Sequence, residues 1–285
     1  MRSATPHAMR ESTLLAAQIC VALAAQLSAQ EPAGLAATAL VNPRFAWQPR
    51  SVPGFRVYFQ ANSYASRHQD SLLARLPAAL HHARTLIAAP APPGPIDLFF
   101  VESREQMAQL IGGRATGFAH QAARAVFLMT DSSWRAFERH EVMHIVAWHA
   151  WGPPAANNDW LQEGIAQAAD GHCGNYSNNA ALRGLTARLG WISLQDLLTR
   201  FRQQPDLRAY LQAASFTGHL LETFGPAAVA ELWRRGATPE TVVGTRTLAA
   251  IERDWRAQLV VGALPRDDEL TRIAEIGCGV ASPPR

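Results

Sequence analysis

Residues 131–164 read DSSWRAFERHEVMHIVAWHAWGPPAANNDWLQEG, two helical runs separated by a Gly-Pro break. Asp131 or Ser132 offers a side-chain cap for a first helix that runs to Trp151 and stops at Gly152-Pro153. Within it His140-Glu141-Val142-Met143-His144 is an H-E-x-x-H motif. His140 and His144 are four apart and share one face, so both imidazoles can meet one metal ion, with Glu141 beside them. Placing two histidines and a carboxylate in an apolar helix without a partner is costly, which favours a ligand over mere packing. Asn158 or Asp159 can cap the second helix, opened by Trp160-Leu161-Gln162-Glu163-Gly164. Eighteen residues separate His144 from Glu163, the expected third ligand. A third histidine six positions past His144 would fall on Ala150, and His149 is one place short, so Glu163 is preferred.

Upstream the pattern changes from helical to alternating. Phe55 to Phe59 reads as a half-buried strand, Asp70 to Ala88 as a helix with leucines at helical spacing, and Ile96 to Val101 as a second strand. Glu105 to Ile111 is a short helix closed by Gly112 and Gly113, and Ala123 to Met129 a third strand. This order reads as an α/β or α+β unit, and everything after Asp131 as helix interrupted by Gly-, Pro- and Asn-rich loops. Residues 30–54, punctuated by Pro32, Pro43, Pro49 and Pro53, read as a linker or irregular wrap. No internal repeat is visible.

The chain has 285 residues, is 48% hydrophobic and carries a formal charge of +3, values of a globular protein with a sizeable core. Its 26 basic residues are all arginine and are scattered, so no clustered basic patch marks a nucleic-acid partner. Arg2 and Arg10, the apolar run from Leu14 to Leu27 and the small residues Ser28 and Ala29 give residues 1–29 the order of a secretory signal, with cleavage after Ala29. That run is too short, and too interrupted by Gln18 and Gln26, for a stable membrane span. Without Cys20, two cysteines remain, Cys173 and Cys278. An even count in an oxidising compartment favours one disulfide, the alternative being two buried thiols.

H-E-x-x-H followed after eighteen residues by Glu163 within W-L-x-E-G-x-A resembles the gluzincin metallopeptidases. Ser193 to Leu198, then Tyr210 through Phe216 and Leu220-Leu221 to Gly225, and a closing helix at Ile251 to Leu259, are similar to the bacterial peptidase-MA-like group. The similarity covers roughly residues 55–260 of the chain. It implies an α+β zincin-like fold: a mixed sheet packed on the metal-site helix, then a mainly helical lobe. The domain is expected over residues 55–262, followed by a C-terminal tail over 263–285 that a bond between Cys173 and Cys278 would tether. It also implies one Zn²⁺ ion held by His140, His144 and Glu163, Glu141 as general base, and a peptide or protein substrate. In thermolysin-like members an acid four residues past the ligand glutamate orients a motif histidine. That place is Gln167 here, and Asp170, two turns along from Glu163, could serve instead. The aminopeptidase branch has a G-x-M-E-N segment whose glutamate binds a free amine. The comparable Gly117-Phe118-Ala119-His120-Gln121 lacks a carboxylate, which points to an endopeptidase, with Ala123 to Met129 as the edge strand beside the substrate or simply a buried strand. In that branch the donor tyrosine opens a Y-x-x-G-A-[ST] segment, matched by Tyr210 to Ser215 with Ala213 for glycine. The resemblance thus makes Tyr210 the oxyanion donor, with His219 as its competitor.

The expectation is therefore an exported, periplasmic or secreted zinc peptidase. The rival reading is a secreted zinc-binding homologue that acts as a binding or assembly factor without turnover. A closed structural zinc site is weaker, since His172 is the one further candidate at sensible spacing after Glu163.

Overall fold

The computed structural model describes residues 34–204, 206–259 and 264–279. The expected leader, with Cys20 and Ala29, lies outside them. The described residues divide into two compact units, those up to Phe45 and those from Ala46 onward. In the first, helix α1 covers residues 34–41 and a turn closes with Phe45 N–H donating to the Asn42 carbonyl.

The second unit is α+β. Strands β1 (Trp47–Val52) and β2 (Phe55–Gln60) form an antiparallel hairpin. Gly54 turns it with a φ of 85°, and a Cβ there would stand 2.6 Å from Leu80. Helices α2 (Tyr64–Arg67) and α3 (Gln69–Leu86) lead to β3 (Ile96–Val101), which pairs parallel to β2. After α4 (Arg104–Ile111), β4 (Gly117–His120) and β5 (Ala125–Met129) are antiparallel to each other, and β5 runs parallel to β3. The sheet order is β1-β2-β3-β5-β4, so β4 is an outer strand. Two expectations are corrected here. Residues 30–54 include α1 and β1, not only irregular chain. For Ala123 to Met129 it is the edge-strand reading that is corrected, in favour of the buried strand also considered: β5 is buried along its length and β4 pairs along its outer side.

Phe55, Val57, Phe59, Leu98, Phe100, Val126 and Leu128 come from alternate positions of the inner strands. They share one core with Leu72, Leu76 and Ala83 of α3 and with Val142, Met143, Ile145 and Val146 of α5 (Glu138–Trp151). Helix α5 starts later than its sequence suggests. Asp131 accepts from the Ser133 backbone N–H at 2.6 Å and its hydroxyl at 2.7 Å, closing a turn in place of capping a helix. Arg135 N–H is engaged by the Gly279 carbonyl at 2.9 Å.

Helix α6 (Asp159–Asp170) carries Glu163. Asn158 precedes it, but its side chain does not cap it. The amide donates instead to the carbonyls of Leu232 and Trp233, each at 3.0 Å. A hairpin of β6 (His172–Cys173) and β7 (Tyr176–Ser177) leads to α7 (Asn178–Leu189), α8 (Leu194–Thr199) and a single 3₁₀ turn at Phe201–Gln203. The long helix α9 (Asp206–Arg235) breaks at Gly225, with φ 79° and ψ 169°, just before Pro226. Helices α6 and α9 pack closely because Gly164 has no side chain. A Cβ there would stand 2.5 Å from Thr217 Oγ1 and 2.9 Å from the Ala213 carbonyl. The hairpin of β8 (Val242–Val243) and β9 (Arg246–Thr247) precedes α10 (Leu248–Leu259).

The expected tail contains α11 (Asp267–Ile276), whose Leu270 and Ile273 are buried in the core. Cys173 and Cys278 form a disulfide across a separation of 105 residues. Among the described residues no helix is long and apolar enough to cross a membrane.

Candidate metal centre

Helices α5 and α6 pack side by side, and their facing positions bring His140, His144 and Glu163 together. His140 and His144 are each 8% exposed and Glu163 9%, so the group is nearly closed to bulk water. The two Nε2 atoms lie 3.2 Å apart. Glu163 Oε2 lies 3.3 Å from Nε2 of His140 and 3.6 Å from Nε2 of His144. This group could hold a metal ion, its ligand atoms all lying within 4.8 Å of one another. Burial would push the Glu163 carboxyl up, but hydrogen bonds and charge from the two histidines hold it well below the usual carboxylate range. A carboxylate and two imidazole nitrogens at this spacing are donors that a cation would bring into balance.

Glu141 adjoins the triad, beneath the outer strand of the sheet. A Cβ on Gly117 would overlap its carboxylate, 2.9 Å from Cδ, so this approach needs glycine at that point of β4. Burial pushes the Glu141 carboxyl up to about 8. His144 opposes the shift, and the charges of Glu163 and Asp170 add to it.

Tyr210 reaches the same place from α9. Its ring faces that of His140 with centroids 6.3 Å apart and planes at 20°. Burial and then the Glu163 charge push its phenol above the ordinary value, so the hydroxyl keeps its proton. His219, nine positions along the helix, lies instead among Glu222, Arg246 and Asp254.

The expected supporting residues make different bonds. Asp170 pairs with Arg135, at 2.5 and 3.1 Å. Gln167 donates to the His172 carbonyl at 3.2 Å and to Asn178 Oδ1 at 3.0 Å, pinning the hairpin after α6. Neither makes a hydrogen bond to a motif histidine, and His144 Nδ1 is buried without a partner among the described residues. Both side chains are spent on holding the end of α6 to its neighbours. His149 is not part of the triad; burial and then the Arg124 charge lower its imidazole below the ordinary value.

Arg202 was not legible as a site residue. It sits on the 3₁₀ turn, and its Nη2 donates at 3.1 Å to both Asp159 Oδ1 and Glu163 Oε1. Nη1 reaches the Tyr210 hydroxyl at 3.4 Å. The one hint in sequence is generic: a buried ligand carboxylate leaves a second oxygen in need of a donor.

No protein-family model matches this chain, and no curated protein matches it. The geometry of these side chains is therefore the ground for any functional reading.

Proposed function

We propose that this protein is an exported zinc-dependent endopeptidase of zincin-like fold. The observation that carries the reading is the triangle of donor atoms, with sides of 3.2, 3.3 and 3.6 Å. Ligands about 2.1 Å from a tetrahedral zinc stand about 3.4 Å from one another, which these sides match within a few tenths of an ångström. Two imidazoles and one carboxylate are also the donor set of a catalytic rather than a closed structural site. Bound there, zinc would supply a Lewis acid that acidifies water and polarises a carbonyl. Glu141, its carboxyl already raised by burial, takes a proton from the attacking water and passes it to the leaving amine. Tyr210 keeps its proton and offers it to the oxyanion. Among the described residues no strand pairs along the outer side of β4, where an extended peptide would add by strand pairing close to Glu141. Export is favoured by the Cys173–Cys278 bond and by the signal-like order of residues 1–29.

Metal analysis beside casein hydrolysis tests the reading. The wild type should carry one zinc and cleave, and Glu141→Gln should keep the zinc while activity falls by about 10²–10⁴-fold. Zinc bound with no cleavage of any protein substrate would favour a binding or assembly factor, and absence of zinc would remove the centre itself.

A further inference from the structure

The triad uses one oxygen of Glu163. Oε2 faces both histidines, while Oε1 points to Arg202 at 3.1 Å. A buried carboxylate oxygen without a donor is costly, and one with a charged donor is firmly oriented. Asp159 and Glu163 lie four apart in the first turns of α6 and so share a face, and one guanidinium nitrogen bridges them. The other terminal nitrogen reaches the Tyr210 hydroxyl. Arg202 thus joins three elements at one point: the start of α6, the 3₁₀ turn and α9.

We propose that Arg202 is the positioning residue of this centre, holding Glu163 so that a single oxygen faces the ion and fixing the Tyr210 hydroxyl relative to it. The inference rests on the metal-centre reading above. A guanidinium suits the task because its planar fork reaches two acceptors in fixed directions, which a lysine ammonium does not. The side chain itself is 56% exposed, so its replacement leaves the core intact.

The test uses the full chain with Zn²⁺ alone, its affinity read by competition with a chromogenic chelator. Arg202→Gln should weaken zinc binding by about 10–100-fold, the usual effect of losing a partner of a metal ligand. Arg202→Lys, which keeps the charge and loses the fork, should fall between Arg202→Gln and the wild type. All three should keep the same metal-free circular dichroism spectrum, since Arg202 lies outside the core. In a Glu163→Ala background Arg202→Gln should cost nothing further, because its effect passes through the lost carboxylate. Wild-type zinc affinity in Arg202→Gln, or the same loss with and without Glu163, would overturn the inference while leaving the metal centre standing. No zinc binding by the wild type would overturn both.

Discussion

The proposed oxyanion donor, Tyr210, owes its protonation to its surroundings. A phenol at the surface would be a modest donor in competition with water. Here burial and the neighbouring Glu163 carboxylate keep it protonated, and Arg202 approaches its oxygen at 3.4 Å. Tyr210→Phe removes the hydroxyl and little else, so kcat for casein should drop by roughly 10²–10³-fold, the cost of one oxyanion donor. Zinc content and melting temperature should stay unchanged. His219→Ala should leave cleavage alone, since that ring faces Glu222, Arg246 and Asp254. Full activity in Tyr210→Phe with loss in His219→Ala would transfer the role to the histidine.

At the scale of elements, strand β4 and helix α5 constrain each other. Gly117 allows the strand to lie against the Glu141 carboxylate, and any Cβ there must push one of them aside. Gly117→Ala should therefore retain zinc and lose about 10²-fold in kcat, as expected when a catalytic group shifts by about an ångström. Gly113→Ala is the matched control, because a Cβ there would meet nothing nearer than Ile111 Cδ1 at 4.0 Å. Equal activity in the two variants would mean that Glu141 does not depend on this approach. These elements differ in how far sequence exposes them. The spacing of His140, Glu141 and His144 carries the helical period in itself, and β3 is apolar at every position except Asp97. Strand β1 hides because Gln48, Pro49, Arg50 and Ser51 are all exposed at the sheet edge and do not alternate. Strand β4 has four residues, too few to show a period. Asp131 can close a turn or cap a helix, and the turn that forms is held by bonds from Asp131 N–H and Thr130 to the Trp134 carbonyl as well as by the long-range bond from Arg135 to Gly279. Arg202 lies 39 residues from Glu163, and no periodicity links a 3₁₀ turn to a ligand on another helix.

Across the whole second unit, the last helix works as a clasp. Leu270 of α11 lies so close to Gly184 that a Cβ there would stand 2.7 Å from Leu270 Cδ2. Cys278 is bonded to Cys173 and accepts from the Gly174 N–H at 3.2 Å, and Gly279 accepts from Arg135 just before α5. Gly279 also fits under Trp134 and Phe137, where a Cβ would stand 2.8 Å from Phe137 Cε2. The disulfide closes a loop 105 residues apart in sequence. In the chain-entropy model a loop of that length stabilises by roughly 4–5 kcal/mol. Replacing both Cys173 and Cys278 by serine should lower the free energy of denaturant unfolding by up to that amount. An unchanged midpoint would mean that the loop is already restrained in the unfolded chain. The clasp also imposes a schedule. Ribosomes and export channels deliver a polypeptide from its first residue, so Cys173 arrives 105 residues ahead of the thiol that will bind it. The residues of α5 and α6 have by then all been delivered, yet the strap over the loop before α5 and the bond beyond α6 must wait for Gly279 and Cys278. A nascent chain of this protein therefore holds both histidines and the glutamate long before it holds the two contacts that buckle its end to them.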